Sequence, residues 1–167
     1  MASRLPLRIY YDLLSQPSRA VLIFLRRTGI PHVEKPVALR KGEQRSPEFT
    51  KLNPMQKVPV IEDNGFVLTE SVAILKYLAT KYNVPQYWYP EDTMQRAKVD
   101  EYMAWQHANV RYHAAKVFIT EPLGADRDIL KDRPTLNAWR TRVQSALGKT
   151  FDDVHSFLYQ LRNKARL

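Results

Sequence analysis

Two kinds of hydrophobic pattern follow one another along the chain. Up to about residue 83, short runs rich in β-branched and aromatic residues alternate with stretches of helical spacing, whereas the later apolar residues recur only at helical spacing. The first part predicts the order strand, helix, strand, helix, strand, strand, helix. A strand–helix–strand unit followed by a hairpin and a helix is typical of an α/β layer arrangement. The pattern therefore predicts an α/β domain followed by an all-α region.

The predicted strands are bounded by residues that favour turns. LRIYYDLL is the first strand, and HVEKPVAL is a second strand that Pro36 confines to a sheet edge or a bulge. The clearest hairpin signal is VPVIEDNGFVLTE, in which two β-rich runs flank Asn64 and Gly65. Because these residues tolerate the positive φ angles of a tight turn, we place the third and fourth strands here.

Three helices are predicted between and after these strands. The first, SRAVLIFLRRTGIP, begins at Ser18 and ends before Gly29. The second is the short segment SPEFTKLN, with Ser46 as its N-cap and Pro47 at its first position. The third, SVAILKYLATKY, begins at Ser71. These helices complete the α/β part of the pattern.

The chain divides into three parts. Residues 84–92 contain two prolines and show no periodicity, which is typical of a linker. We therefore expect a domain over residues 1–83, a linker over residues 84–92 and a shorter helical domain over residues 93–167.

Three helices are predicted after the linker. The first is capped by Asp92 and runs to about Thr120, the second begins near Pro134, and the third is capped by Thr150 with Asp153. One face of the first helix carries a stripe at helical spacing, formed by Val99, Tyr102, Met103, Gln106, Val110, His113, Ala114 and Val117. We expect this stripe to be buried, with its histidine as a satisfied core residue.

Composition narrows the classes of function. The chain has no cysteine, which excludes disulfides, thiolate metal sites and a cysteine nucleophile. The four histidines show no zinc-ligand spacing, so we expect no metal. The net charge of +9 suits a polyanion or a small anion, but the basic residues are scattered and no nucleic-acid motif occurs. We therefore expect no nucleic-acid partner.

The N-terminus lacks the continuous apolar segment of a signal peptide, and the longest apolar run, AVLIFL, is too short to span a membrane. These features predict a soluble, cytoplasmic protein with no membrane partner.

Ser15 lies between the first strand and the first helix. A hydroxyl at a helix N-terminus can donate a hydrogen bond to an anion, and the helix dipole favours the negative charge. Alternatively, Ser15 or Ser18 only caps the helix, which spacing alone favours. No basic partner is evident nearby, so a Ser-His-Asp arrangement has no support.

Other polar residues allow two interpretations each. Glu70 and Ser71 form an ordinary capping cluster, a site for a carboxylate and an ammonium group, or both. Arg45 and Lys57 are either solvated loop charges or anion ligands. Pro59 opens a strand, where sequence alone favours a trans bond because few X-Pro bonds in folded proteins are cis.

Three stretches of the chain together resemble a glutathione transferase: SQPSRAV, LNPMQKVPVIEDNGFVLTESVAILKYLATKY and WYPEDTMQRAKVDEYMAWQHANVR. The resemblance is closest to the theta class, in which an N-terminal serine provides the active-site hydroxyl. It covers residues 5 to about 121 and resumes at DILKDRPTLNAWRTRVQSALGKTF. The resemblance implies a thioredoxin-like N-terminal domain, βαβαββα, followed by an all-helical C-terminal domain.

The resemblance also implies roles for individual residues. Ser15 would stabilise the glutathione thiolate, whose free thiol form has a pKa of about 8.5. Pro59 would be cis, and Val58 would offer its backbone N–H and C=O to the cysteinyl part of glutathione. Ser71 would bind the γ-glutamyl carboxylate, and Glu70 would bind the ammonium group.

The remaining implied ligands lie elsewhere in the chain. Gln44, Arg45 and Lys57 would reach the glycyl carboxylate. Arg111 would reach back toward the thiol, although a surface arginine is an equal alternative at that position. Position 44 departs from the histidine expected in many theta-class members. Glutamine can donate a hydrogen bond but carries no charge.

The helical domain is shorter than the resemblance implies. FITEPLGADRDILKDRP joins the middle of that domain directly to its late part, so the helices that line the electrophile pocket and carry a buried Ser/Thr-x-x-Asp capping box are missing. Trp105, Tyr112, Phe118 and Trp139 must therefore repack, or the domain will be loose. A homodimer could cover part of the exposed surface.

Three functions stay open on sequence alone. The resemblance implies a cytoplasmic, homodimeric detoxification enzyme that conjugates glutathione, its co-substrate, to alkyl halides, aryl halides or epoxides. A shortened chain could instead be a non-catalytic glutathione-binding or protein-binding fragment. A basic scaffold for RNA or protein assemblies is disfavoured by the even spread of charge.

Overall fold

A four-stranded sheet organises the N-terminal half of the molecule. The computed structural model describes residues 5–114, 130 and 132–164 of the 167-residue chain. Its strands are β1 (Leu7–Tyr11), β2 (His32–Pro36), β3 (Val60–Asp63) and β4 (Phe66–Leu68). They lie in the order β2-β1-β3-β4, with β1 parallel to β2 and antiparallel to β3, and β3 antiparallel to β4.

The helices of this half are α1 (Gln16–Thr28), α2 (Pro47–Leu52) and α3 (Ser71–Lys81), with short 3₁₀ turns at Leu39–Lys41 and Glu43–Arg45. The predicted order of strands and helices is confirmed. The predicted start of α1 at Ser18 is wrong by two residues, because the Ser15 side chain accepts from the Ser18 N–H and so caps a helix that begins at Gln16.

Two local predictions in the sheet are confirmed. β2 is an edge strand, as Pro36 requires. Asn64 and Gly65 both have positive φ angles, 52° and 87°, and join β3 to β4 in a tight hairpin. These two turn residues therefore set the register of β3 against β4, the strand that precedes α3.

The main hydrophobic core lies between the sheet and the helices α1 and α3. Its fully buried side chains include Ile9, Leu22, Leu25, Ile61, Ile74, Leu78 and Val154. The last of these comes from the C-terminal helix, which packs against α1. A smaller cluster of Val37, Phe49 and Val60 lies under α2.

The second half is helical where it is described. α4 (Thr93–Trp105) continues through a π-helical turn at Gln106–Val110 into helical residues 111–114, and α5 (Pro134–Leu147) and α6 (Lys149–Lys164) follow. Asp92 accepts from the backbone N–H of Gln95, so the predicted N-cap of α4 is confirmed. The predicted helix end near Thr120 lies outside the described residues.

Two expectations for the second half are wrong. Thr150 does not precede the last helix, because α6 already begins at Lys149, and the Lys149 ammonium pairs with Asp153 at 2.7 Å. His113 is exposed rather than buried in a core. No residue of α4 is buried, because the described part of the chain supplies too little surface to cover this helix.

The aromatic residues expected to repack stay exposed where they are described. Trp105, Tyr112 and Trp139 expose 53%, 62% and 52% of their surface, whereas Phe118 lies outside the described residues. Within the described ranges, no helix combines the length and apolar character needed to cross a membrane.

Candidate functional site

The loop between β1 and α1 holds Ser15 at the N-terminus of α1. The Ser15 N–H donates to the carbonyl oxygen of Asp12 at 3.0 Å, and the Ser15 Oγ accepts from the Ser18 N–H at 3.3 Å. The same hydroxyl donates to the carbonyl oxygen of Val58 across a distance of 3.5 Å. Ser15 therefore caps α1. Its hydroxyl hydrogen is directed to the Val58 carbonyl oxygen along a contact longer than most O–H···O hydrogen bonds.

Two charged residues that the sequence analysis missed brace this loop. Asp12 accepts from the N–H of Leu14 at 2.7 Å and from the N–H of Leu39 at 2.8 Å. Arg19 donates to the carbonyl oxygens of Leu13 at 2.7 Å and Leu14 at 3.2 Å. The carboxylate and the guanidinium thus fix the backbone just before Ser15. The aspartate two residues before Leu14 is a turn signal that could have predicted the first bond.

The loop before β3 is held by a buried asparagine. The Asn53 Nδ2 donates to the carbonyl oxygen of Lys57 at 2.8 Å, and its Oδ1 accepts from the N–H of Met55 at 3.0 Å. The Val58–Pro59 peptide bond that follows is cis, and Pro59 is buried. Asn53 was also missed, although an Asn-Pro pair is a known turn signal.

The N-terminus of α3 brings three predicted site residues together. Ser71 is buried, and its Oγ accepts from the Arg111 Nη1 at 3.1 Å. Burial lowers the pKa of Arg111, while the nearby Glu70 carboxylate acts in the opposite direction. The same Nη1 lies 3.0 Å from the His107 Nδ1. A residue of the long helix therefore contacts the thioredoxin-like half at this point.

Glu70 has a strained backbone. Its φ is 64°, in the region that non-glycine residues seldom adopt, and its side chain does not cap α3. Residues held in such conformations cluster at binding and active sites. The exposed Glu70 carboxylate makes no capping hydrogen bond to α3.

The residues predicted for the glycyl end lie in loops. Gln44 is in the second 3₁₀ turn, and its Oε1 is buried without a hydrogen-bond partner among the described residues. Arg45 and Lys57 are exposed.

A cavity of about 360 Å³ lies beside the Ser15 loop. Its lining residues are Leu14, Gln16, Pro17, Arg19, Arg111, Ala114 and Leu158. Among the described residues, this lining includes two guanidinium groups and no carboxylate. Burial lowers the pKa of Arg19, and its Nε has no hydrogen-bond partner among the described residues. The cavity can therefore receive an apolar group together with a negative charge.

Among the described residues, no group of three or more histidine, aspartate or glutamate side chains is arranged to hold a metal ion.

Comparison with known proteins gives consistent matches. The family model for the glutathione S-transferase N-terminal domain matches residues 8–80. Glutathione S-transferase theta-1 of Bos taurus is 36% identical and that of Mus musculus 56%, each over 94% of this chain and 90% of the relative. The solved structure of human glutathione transferase theta-2 in complex with glutathione is 30% identical, with a TM-score of 0.84 over 95% of this chain and 90% of that chain.

The alignments also show how many positions of the relatives this chain lacks. Each theta-1 alignment extends over 217 positions, whereas this chain has 167 residues, so at least 50 positions of the relative have no counterpart here. The homologues use glutathione as co-substrate, and the identity and coverage indicate a glutathione S-transferase enzyme. The chain therefore belongs to the glutathione S-transferase family and, within it, to the theta class.

Proposed function

We propose that this chain conjugates the glutathione thiolate to small electrophiles such as alkyl halides, aryl halides and epoxides, and that Ser15 stabilises the thiolate. The observation that carries the proposal is the position of the Ser15 hydroxyl, at the N-terminus of α1 and 3.5 Å from the Val58 carbonyl oxygen. A hydrogen on so long a contact can turn to a sulfur anion at little cost, while an oxygen lone pair still caps the helix.

The γ-glutamyl end of glutathione would bind at the N-terminus of α3. The Ser71 hydroxyl and the first N–H groups of α3 would hold its carboxylate. The exposed Glu70 carboxylate would hold its ammonium group. The cysteinyl part would pair with the backbone of Val58, beside the cis Pro59, as an added strand pairs with a sheet edge.

The glycyl carboxylate would lie near Gln44, Arg45 and Lys57. The buried Gln44 Oε1 lacks a partner among the described residues, and a bound peptide N–H would supply one. Arg111 would act between the two ends, since it contacts Ser71 and also lines the cavity beside the Ser15 loop. Its positive charge would favour the ionised sulfur.

The cavity of about 360 Å³ is the proposed electrophile pocket. Leu14, Pro17 and Leu158 would contact the apolar body of the electrophile. Arg19 and Arg111 would stabilise the negative charge that develops on a departing halide or an opened epoxide oxygen. The carboxyl-terminal helix α6 would thus supply part of the wall that the missing helices line in longer relatives.

The experiment compares conjugation rates for Ser15→Ala and wild type with an alkyl halide and an aryl halide. Loss of one donor to the thiolate should lower kcat by about 10–1000-fold, by analogy with oxyanion donors. Ser18→Ala is the matched control, because the Ser18 Oγ is buried in the same helix turn and has no hydrogen-bond partner among the described residues. Equal rates for Ser15→Ala and wild type would remove Ser15 from the mechanism.

A second candidate function is a non-catalytic glutathione-binding or protein-binding fragment. It is favoured by the 50 or more positions of the relatives that have no counterpart here. Calorimetry with glutathione, combined with the same rate assays, separates the two functions. Binding with no turnover of any halide or epoxide would support the fragment and contradict the catalytic proposal.

A homodimer in the cytoplasm, acting in detoxification, completes the proposal. It is supported by large apolar residues that stay exposed on β4 and α4, such as Phe66, Val67, Tyr102 and Trp105. Light scattering after size-exclusion chromatography should give twice the 19.5 kDa of one chain. If the protein that conjugates glutathione has the mass of one chain, the proposed homodimer is wrong.

A further inference from the structure

The N-terminal half of α5 is exposed on every side. All residues from 132 to 142 are exposed, whereas Val143 and Leu147, nearer the C-terminal end of this helix, are half-buried. Leu136 and Trp139 continue the same stripe at helical spacing, yet they expose 49% and 52% of their surface. An apolar stripe therefore runs from the packed end of α5 onto a part of the helix that faces solvent.

The charge around this stripe has one sign. Residues 133–151 contain no Asp or Glu and four basic residues, Arg133, Arg140, Arg142 and Lys149. With about 3.6 residues per turn, Arg140 and Arg142 lie on opposite sides of the stripe. Among the described residues, no carboxylate pairs with either of them, and Arg140 donates to the amide oxygen of Asn137 at 2.8 Å. The basic face of α5 is defined here by Leu136, Trp139, Arg140 and Arg142.

A second copy of this chain does not suit the basic face of α5. A two-fold symmetric contact brings the same surface of both copies together. The guanidinium groups of one copy would then lie close to those of the other, and like charges placed opposite one another cost binding free energy. The charge of this face therefore calls for an anionic partner.

We propose that the basic face of α5 binds the surface of a membrane rich in anionic lipids, with the helix lying parallel to that surface. Basic residues beside an apolar stripe suit this partner, because the guanidinium groups reach the charged headgroups while the stripe enters the boundary with the acyl chains. Tryptophan rings are favoured at this depth, which fits Trp139.

Two observations bear on the choice of partner. A nucleic acid would use the arginines of the basic face but would leave the Leu136 side chain in water, whereas a lipid surface uses both. The expectation of no membrane partner follows from the lack of a spanning segment, and a helix bound at the surface needs no such segment.

Co-sedimentation with vesicles tests the proposal. The probes are vesicles of phosphatidylcholine alone and vesicles of phosphatidylcholine and phosphatidylserine in equal parts. We expect binding to the anionic vesicles that weakens as the salt concentration rises, and binding to the neutral vesicles that is weaker by about tenfold or more. Equal sedimentation with the two kinds of vesicle, or sedimentation with neither, would overturn the proposal.

Charge reversal locates the contact. The double variant Arg140→Glu, Arg142→Glu alters the basic face, whereas Lys35→Glu, Lys51→Glu makes the same change of net charge at exposed positions of β2 and α2. Because each basic residue near an anionic surface contributes about fivefold to the affinity, the first variant should bind the anionic vesicles at least about 25-fold more weakly. The second should bind nearly as wild type does, and an equal loss in both variants would contradict the assignment to α5.

The apolar part of the face is tested separately. Trp139→Gln removes its ring, and Tyr87→Gln is the control, because this linker tyrosine is an aromatic residue that exposes 80% of its surface. Trp139→Gln should weaken binding to the anionic vesicles by about fivefold or more, and Tyr87→Gln should leave it unchanged. Unaltered binding by Trp139→Gln would show that the stripe does not enter the membrane boundary.

Two further outcomes would assign the basic face to another partner and overturn the proposal. One is tighter binding of polyuridylate than of the anionic vesicles at equal phosphate concentration, with loss in Arg140→Glu, Arg142→Glu, which indicates a nucleic-acid surface. The other is a fall from the mass of two chains to that of one chain in Trp139→Gln, measured by light scattering, which indicates an interface between copies.

Discussion

At the scale of single residues, the candidate site depends on side chains that hold the backbone as much as on those that would touch glutathione. Ser15 caps α1, yet its hydroxyl hydrogen lies on a long contact with Val58. Asp12 and Arg19 bind backbone groups of Leu13 and Leu14, just before this serine. The position of the Ser15 hydroxyl therefore depends on two charged residues that form no recognisable sequence motif.

Asp12→Asn tests this role. The amide keeps the size of the side chain but presents one acceptor oxygen instead of two, so one of the N–H groups of Leu14 and Leu39 loses its partner. Hydrogen bonds to charged groups contribute about 1.5–3 kcal/mol, and we expect a loss of that size in the free energy of unfolding. Urea denaturation measures it.

The same variant should also lower kcat more than it raises KM for glutathione, because the displaced loop carries Ser15 rather than the α3 end of the site. Asp132→Asn, at an exposed aspartate, is the control. If both variants unfold at the same urea concentration and turn over alike, Asp12 does not position the loop.

At the scale of helices and strands, the sequence predicted what short-range rules determine. The hairpin at Asn64–Gly65 and the N-caps Ser46 and Asp92 depend on neighbouring residues, and each lies where it was expected. The Asp12–Leu39 bond joins residues that are distant in the chain, and no local pattern encodes it. The prediction that His113 is buried was wrong for a related reason. A helical stripe is buried only when another element covers it.

The link between the hairpin and α3 rests on one buried carboxylate. Asp63, at the end of β3, accepts hydrogen bonds from Lys81 at 2.7 Å, Tyr77 at 3.0 Å and Tyr82 at 3.0 Å. Burial acts to raise the pKa of Asp63, but these three hydrogen bonds outweigh it and lower the pKa below its usual value. The ionised carboxylate therefore stabilises the fold that presents the N-terminus of α3.

Asp63→Asn should lower the free energy of unfolding by about 1–3 kcal/mol at neutral pH. Because the folded-state pKa is depressed, the contribution is fully present above the unfolded pKa of about 4 and declines as the pH falls through the lower folded-state value. Chemical denaturation between neutral and acidic pH measures the difference. A deficit that stays constant down to the lowest pH would show that the ionisation of Asp63 does not contribute.

At the scale of the whole molecule, the two halves differ in how completely they are packed. The sheet, α1 and α3 enclose a continuous core that also receives Val154 from α6, whereas no residue of α4 or α5 is buried. The weaker packing of the second half accompanies the absence of at least 50 positions that the theta-1 relatives possess. The proposed glutathione contacts lie mainly on the well-packed half, and the proposed electrophile pocket depends on both.

The pKa of the bound glutathione thiol tests the central claim most directly. Ultraviolet absorbance of the thiolate, followed against pH with saturating glutathione, measures it in wild type, Ser15→Ala and Ser18→Ala. We expect a thiol pKa well below the free value of about 8.5 in wild type and Ser18→Ala, and a pKa higher by roughly one unit or more in Ser15→Ala. The same thiol pKa in wild type and Ser15→Ala would show that Ser15 does not stabilise the thiolate.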